Sequence, residues 1–274
     1  MTLLLSAQAA QLNGDDTAAT RFFQEMTENP ETEFLGLRGL LTQAMNKGDN
    51  ERALELARRA YRLQPKSDWV SSSLFDLQVD AGKWLDAQVT SDEQQRLGVI
   101  TRDANRQRKA VLALQKGLEL ARDGNADEAS RRFKAAFDLA PDFIPAAVRH
   151  ASALVDQGKG RRGQDVITKT WSKNPHPDLL EPYWRASDAV DALARVKVTE
   201  KLTAASKDHP ESHMAMARAS LDAQLWGEAR DHLAAITSDA NEARVCRLWA
   251  DLEEAEHGDS AKARDWLSQA ASAE

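Results

Sequence analysis

Few residues of this 274-residue chain have types and spacings suited to acid–base or metal chemistry. The six histidines are His150, His176, His209, His213, His232 and His257. The segment HPESH sets His209 and His213 four residues apart, but Pro210 between them marks a helix start and argues against a shared helical face. The segment EAEH (254–257) is a single E-x-x-H, whereas a di-iron site needs a second copy and two further carboxylates. We therefore expect surface or packing histidines, and predict no metal site and no cofactor.

The sequence also offers no arrangement for nucleophilic catalysis. The single cysteine, Cys246, excludes an intrachain disulfide and a cysteine-based zinc site. Its place in the predicted helix EARVCRLWADL favours a small buried thiol. No G-x-S-x-G, G-x-G-x-x-G or phosphate-loop sequence occurs, so no motif supports a hydrolase, a flavin-binding or a nucleotide-binding function. These observations predict a protein that is not an enzyme.

The composition is that of a globular protein rich in helix-forming residues. The chain is 42% hydrophobic and 29% charged, with a formal net charge of −7. It is too apolar for disorder and too acidic for a general nucleic-acid binder. The apolar opening LLLSAQAAQL is too short to span a bilayer and lacks the basic start of a secretory signal. We expect the chain as given to be soluble and to bind no nucleic acid.

A repeated spacing of small residues and proline predicts the secondary structure of the chain. GDNERALELARRAYRLQP (48–65) sets Gly48, Ala53, Ala57, Ala60 and Pro65 at offsets of 5, 4, 3 and 5. The same offsets recur in GNADEASRRFKAAFDLAP and GKGRRGQDVITKTWSKNP. The anchor positions are Ala53, Ala87, Ala129, Gly163 and Ala263, with weaker copies at Ala19, Val198 and Ala229. A period of 34 residues with a small residue at the helix crossing and a terminal proline resembles the tetratricopeptide repeat (TPR).

The repeat predicts an all-α TPR protein, a right-handed superhelical solenoid of about seven to eight helix pairs. Each first (A) helix should end at a glycine with positive φ, near Gly48, Gly82, Gly124, Gly158 and Gly258. Each second (B) helix should bury its anchor, as at Ala53, Ala87, Ala129 and Ala263. We expect one continuous domain over 1–274, with repeats near 1–30, 33–65, 68–96, 103–141, 142–175, 177–210, 211–238 and 240–274.

One step between anchors is 42 residues, from Ala87 to Ala129, so the segment QRLGVITRDANRQRKA contains an insertion. We predict one long helix over 102–121 with Asp103 as its cap. The segment carries a basic cluster of Arg102, Arg106, Arg108 and Lys109. Two interpretations stay open: a solvated helix that only changes the pitch, or a basic projection that binds a partner.

The A helices are expected to present a polar groove to a partner. Its candidate binding residues are Arg38, Thr42, Asp76, Asp80 and Arg218. A mixed polar groove indicates a peptide or protein ligand, because an apolar cofactor needs a mostly hydrophobic pocket. The acidic pair Asp76 and Asp80 would repel the terminal carboxylate that some TPR proteins clamp. Trp84 and Trp226 each precede an anchor alanine by three residues and are expected in the core.

Longer segments carry a more specific resemblance. They include NPHPDLLEPYW, DHPESHMAMARASLDAQLWGEARDHL and WADLEEAEHGDSAKARDWLSQA. Along nearly its whole length the chain is similar to the soluble TPR portion of the bacterial HemY-type inner-membrane proteins, without their two transmembrane helices. The resemblance implies a scaffold on the cytoplasmic side of the inner membrane that organises or regulates enzymes of late porphyrin or haem synthesis. The alternative is a direct haem or tetrapyrrole carrier that uses a histidine and groove aromatics.

Overall fold

The computed structural model describes residues 2–236, 242–258 and 260–273. All regular structure in these ranges is helical, apart from two short 3-10 turns at Pro177–Leu179 and Ala204–Ser206. The α-helices are α1 (Thr2–Leu12), α2 (Asp16–Met26), α3 (Glu33–Asn46), α4 (Asn50–Leu63), α5 (Asp68–Asp80), α6 (Trp84–Arg96), α7 (Arg102–Arg122), α8 (Ala126–Leu139), α9 (Ile144–Asp156), α10 (Gly160–Trp171), α11 (Leu180–Ala186), α12 (Ala192–Thr203), α13 (Pro210–Asp222), α14 (Trp226–Ala234), α15 (Glu242–His257) and α16 (Ser260–Ser272). The odd-numbered helices are A helices and the even-numbered ones are B helices.

The described ranges thus contain eight A/B pairs, and the predicted all-α TPR fold is confirmed. The chain divides into two compact units, 1–116 and 117–274, and the boundary falls within α7. In the first unit the hydrophobic core is built by residues of α1 to α5. In the second unit a large core cluster is built around the buried Trp171 and Trp184. The expectation of one continuous domain stays a prediction.

The turns between A and B helices depend on a left-handed backbone position. Gly48, Gly82, Gly124, Gly158 and Gly258 have φ of +70°, +66°, +80°, +71° and +63°, which confirms the predicted turns. The turns of the sixth and seventh pairs reach the same region without glycine, at Asp188 (φ +52°) and Gln224 (φ +58°). These two turns lack glycine, so the pattern that marked the other turns did not identify them.

The anchor residues lie where each B helix approaches its A helix. Ala53, Ala87, Ala129 and Ala263 are 0%, 0%, 2% and 4% exposed, as predicted. Each stands three residues after the first residue of its B helix. A larger side chain at this position would separate the two helices.

The sixth pair departs from the predicted register. Val198 is only half-buried, and the residue of α12 with no exposed surface is Thr199, whose hydroxyl accepts a hydrogen bond of 2.8 Å from Trp184 Nε1. The position three residues into α12 is Arg195, which lies over the Trp184 ring at 5.0 Å. The weaker copy predicted at Val198 is therefore displaced by one residue to Thr199, in a pair whose α11 has only seven residues.

Trp84 and Trp226 are both half-buried. Trp226 packs against a buried core cluster of the second unit, as predicted, whereas Trp84 lines an open groove and is not a core residue. Each is the first residue of a B helix, three residues before the anchor alanine. By contrast, Trp171 is 1% exposed, and its Nε1 donates to the Ser206 hydroxyl at 3.1 Å. Helical spacing alone did not separate these two environments.

The long inserted helix is present as α7, which has 21 residues and confirms the predicted extent. Its first turn is capped by Thr101, whose hydroxyl oxygen accepts a hydrogen bond of 3.1 Å from the Ala104 backbone N–H. Asp103, predicted as the cap, lies inside the first turn, with its carboxylate 3.3 Å from Arg106. Thr101 takes the role because α7 begins at Arg102, two residues earlier than a cap at Asp103 would allow.

We expect Ala129→Leu to lower the free energy of unfolding by about 1–3 kcal/mol, because the added atoms overpack a closed crossing. Ala126→Leu, the same substitution at an exposed position of α8, is the matched control and should be nearly neutral. Urea denaturation monitored by circular dichroism measures both. Equal stabilities for the two variants would show that Ala129 is not at a tight crossing.

Gln224→Gly is expected to raise the free energy of unfolding by about 0.5–1 kcal/mol, because glycine removes the left-handed strain but adds freedom to the unfolded chain. The reverse change, Gly124→Ala, should lower it by about 1 kcal/mol. A Cβ at Gly124 meets no atom within 4 Å, so this loss is purely conformational. Thermal melts of both variants test the pair, and a destabilised Gln224→Gly protein would contradict the strain argument.

His150 generates a pH-dependent prediction. It is 7% exposed in α9, its Nδ1 has no hydrogen-bond partner, and burial lowers its pKa below the usual value. The folded state therefore keeps the neutral ring while the unfolded chain takes up a proton below about pH 6.5. The free energy of unfolding should fall as pH drops from 7.5 to 5.5, and His150→Leu should reduce this slope. His257→Leu, at an exposed position, is the control, and an unchanged slope in His150→Leu would reject the assignment.

Candidate protein-binding surfaces

A groove in the second unit is formed by the A helices of three successive pairs, α11, α13 and α15. Its volume is about 630 Å³. It is lined by Pro177, Leu180, Glu181, Trp184, Glu211, Met214, Ala215, Arg218, Arg244, Arg247, Leu248, Asp251 and Leu267. We call this the second-unit groove. Its lining combines apolar side chains with three arginines and three carboxylates, which is the chemistry of a peptide-binding surface more than of an apolar cofactor pocket.

One ion pair inside the second-unit groove ties two A helices together. Arg244 of α15 makes a two-pronged contact with the Glu211 carboxylate of α13, with Nη2 3.0 Å from Oε2 and Nη1 bonded to Oε1. Glu211 is 8% exposed, so its charge is largely removed from water. Loss of Arg244 would deprive the buried Glu211 carboxylate of this partner, which is destabilising. This pair therefore fixes the geometry of the groove.

Other charges of the second-unit groove remain near its surface. Arg218, predicted from the sequence, is exposed on α13, and its Nε lies 3.7 Å from Asp222. Burial and the neighbouring Glu254 raise the pKa of Asp251, while Arg218 acts in the opposite direction. Exposed pairs of this kind contribute little to stability, so these charges are available for recognition at small cost to the fold.

Arg38 and Thr42 lie one helical turn apart on α3 in the first unit. The Arg38 guanidinium lies over the Trp69 ring at 5.2 Å, and the Thr42 hydroxyl donates to the Arg38 carbonyl at 3.0 Å. Arg38 is exposed and Thr42 is half-buried. Stacking on Trp69 holds the arginine in one direction, which suits a contact residue. A role in binding stays a prediction for both.

Asp76, Asp80 and Arg108 come together in the first unit, beside an apolar groove of about 560 Å³. The groove is lined by Phe75, Val79, Trp84, Ala104, Gln107, Arg108, Val111, Leu112 and Gln115. We call this the first-unit groove. The arginine joins residues that stand about thirty positions away in the sequence, because α7 packs its first half beside α5 and α6. The sequence pattern identified Asp76, Asp80 and Arg108 individually, but it did not predict that they lie close together.

The four cations of the basic cluster at the start of α7 do not share one surface, because two are held against α5 and α6 and two are exposed. Arg108 donates to Gln94 Oε1 at 2.6 Å and lies over the Phe75 ring at 4.4 Å. Lys109 pairs with Asp92 at 3.0 Å. Arg102 and Arg106 are exposed. A four-residue basic projection is therefore not formed, because two of the four cations are held against α5 and α6.

The histidines make one contact that the sequence did not predict. The rings of His213 and His232 approach to 3.1 Å between their Nδ1 atoms, so one ring donates a hydrogen bond to the other. His209 is the cap of α13, where its Nδ1 accepts from the Glu211 N–H at 3.1 Å, so His209 and His213 do not act together. Among the described residues, no group of three or more His, Cys, Asp or Glu is placed to hold a metal ion.

The chain is similar to known proteins in sequence and in fold. No family model matches the sequence. Over 194 residues the chain is 30% identical to a Magnetospirillum gryphiswaldense protein described as the probable magnetosome protein Mms48, covering 70% of this chain and 42% of that relative. The chain thus spans less than half the length of the curated relative it matches. It is a TPR-like protein related to this relative.

Solved structures support the fold alone. The structure of Naa15/Naa10 bound to HypK-THB matches 99% of this chain and 53% of that chain, with a TM-score of 0.51 and 14% identity. A tetratricopeptide repeat protein from Parabacteroides merdae matches 87% of this chain and 92% of that chain, with a TM-score of 0.42 and 13% identity.

Within the described ranges, no helix has the length and apolar character needed to cross a membrane.

Proposed function

We propose that this chain is a non-enzymatic interaction scaffold that holds a segment of another protein in the second-unit groove. One observation carries the proposal. Three successive A helices, α11, α13 and α15, jointly line a groove of about 630 Å³ that has both apolar and charged walls. TPR proteins bind extended or helical segments of partners along such surfaces.

The lining suits a peptide segment. Leu180, Met214 and Leu248 supply apolar contacts, and Leu267 at the rim is 48% exposed. Charges of both signs surround them, so backbone and side-chain groups of a partner find donors and acceptors. The buried Glu211–Arg244 pair holds α13 and α15 in place before binding, which reduces the ordering cost of association.

Two more specific partner classes are suggested, one by the resemblance to HemY-type proteins and one by the similarity to Mms48. The resemblance to HemY-type proteins implies a partner among the enzymes of late porphyrin synthesis, beside the inner membrane. The relative Mms48 is described instead as a probable magnetosome protein. The second-unit groove does not favour either partner, so the proposal is protein binding, and each class is a candidate to be offered to the purified chain.

The carrier alternative is tested directly with haem. The second-unit groove carries six ionisable side chains and no histidine in its lining, which is unfavourable for a mostly apolar macrocycle. We expect no Soret shift when haem is titrated into the purified chain. A shift that is lost in His232→Ala or His213→Ala would favour the carrier and contradict the scaffold.

The scaffold proposal predicts site-specific crosslinking in the source cells. A photoreactive amino acid replaces Leu267 in the groove or, as the matched control, Leu63, an equally exposed leucine of α4 at 45%. We expect a discrete crosslinked band from position 267 and none from position 63. Arg218→Glu should weaken the band, whereas Arg21→Glu should not, because Arg21 makes a similar exposed i,i+4 ion pair outside the groove.

Two outcomes would reject this groove as the binding surface. One is a band of equal strength from both leucine positions. The other is a band from position 267 that Arg218→Glu leaves unchanged, with helicity preserved in both variants. Mass spectrometry of the band identifies the partner and decides between the two partner classes.

A further inference from the structure

The first-unit groove has an apolar floor that the fold leaves open. Phe75 and Val79 of α5 lie one turn apart, and Val111 of α7 faces them across the groove and is 43% exposed. All three belong to the first unit. A concave apolar surface in contact with water is a characteristic of binding sites.

Its rim is acidic. Asp76 and Asp80 follow Phe75 and Val79 by one residue each, so the two carboxylates lie one turn apart along the edge of the floor. Both are exposed, and neither has an ion-pair partner within the described part of the chain. Like charges at this spacing repel each other.

The nearby arginine does not neutralise them. Arg108 is held by Gln94 and by the Phe75 ring, at 2.6 Å and 4.4 Å. Desolvation raises the pKa of Asp76, Arg108 lowers it, and Asp80 raises it by a smaller effect than that of Arg108. Two carboxylates thus stand against one guanidinium, so the rim keeps a net negative charge that a cation from outside would offset.

We propose that the first-unit groove binds a segment of a partner protein that presents an apolar side chain flanked by lysine or arginine. The apolar side chain lies on Phe75, Val79 and Val111, and the cations pair with Asp76 and Asp80. Charge complementarity selects this occupant, because an acidic segment would meet two unpaired carboxylates. This surface is separate from the second-unit groove, and the proposal does not depend on the function proposed there.

Two synthetic 15-residue peptides provide the probes. The first carries Leu and Trp flanked by Lys and Arg, and the second is identical except that Glu replaces every Lys and Arg. Fluorescence anisotropy measures the binding of each to the purified chain. We expect binding of the basic peptide, weakening as salt is raised, and no measurable binding of the acidic one.

The variants test each half of the site. Asp76→Asn with Asp80→Asn should weaken binding of the basic peptide about three- to tenfold. Asp123→Asn with Asp127→Asn, an exposed aspartate pair of the same spacing, should leave it unchanged. Val111→Ser should weaken it as well, and Val89→Ser, at another exposed valine (66%), should not. These positions are exposed, so the variants are expected to fold, which circular dichroism checks.

Several results would overturn the proposal. They are failure of the basic peptide to bind the wild-type chain, equal binding of both peptides, and insensitivity of binding to the aspartate or Val111 variants. A dimer in sedimentation velocity that is lost in Val111→Ser would show that a second copy of the chain occupies the groove, and would also overturn it.

Discussion

The close approach of each B helix to its A helix is the constraint on which the rest of the structure depends. It requires a side chain no larger than a methyl group at the crossing, as at Ala53, Ala87 and Ala129. It also requires a chain reversal of a few residues, which places one residue at positive φ. Where the small residue is missing, the pair changes its packing. In the sixth pair the buried Trp184 of α11, a helix of seven residues, donates a hydrogen bond to the buried Thr199 of α12.

This constraint leaves part of each A helix available for other contacts. In the second unit, α11, α13 and α15 share one groove, and the Glu211–Arg244 pair fixes the distance between two of them. The burial of Glu211 distinguishes this pair from exposed ion pairs such as Arg52–Glu55, because removing Arg244 would leave a buried carboxylate without this partner. The charges that are free to recognise a ligand are those at the rim, such as Arg218 and Asp251.

The two grooves differ in the ligand chemistry they favour. The second-unit groove carries equal numbers of arginines and carboxylates, whereas the first-unit groove has an apolar floor and a rim where Asp76 and Asp80 stand against the single Arg108. A scaffold with two chemically different surfaces can hold two different segments. The similarity to Mms48 covers 42% of that protein, so this chain corresponds to only part of it.

The sequence by itself determined the repeat, because helix crossings and turns impose local rules that act within a few residues. The spacing of Gly48, Ala53 and Pro65, repeated along the chain, was sufficient to predict the all-α fold, the turn glycines and the buried anchors. The excess length between Ala87 and Ala129 predicted the extent of α7. The same local rules failed at Val198, Trp84 and the Asp103 cap, where a neighbouring element decided the outcome.

The candidate sites were predicted only as separate residues. Arg218, Asp76 and Asp80 were correctly placed on exposed A-helix surfaces, but the sequence did not show that Arg108 turns onto Phe75 or that His213 meets His232. It also did not show that Arg244 closes on Glu211. These contacts join residues 19 to 33 positions apart, and their distances depend on how one helix pair packs on the next. Local spacing determined which elements form, and only their packing decided which side chains meet.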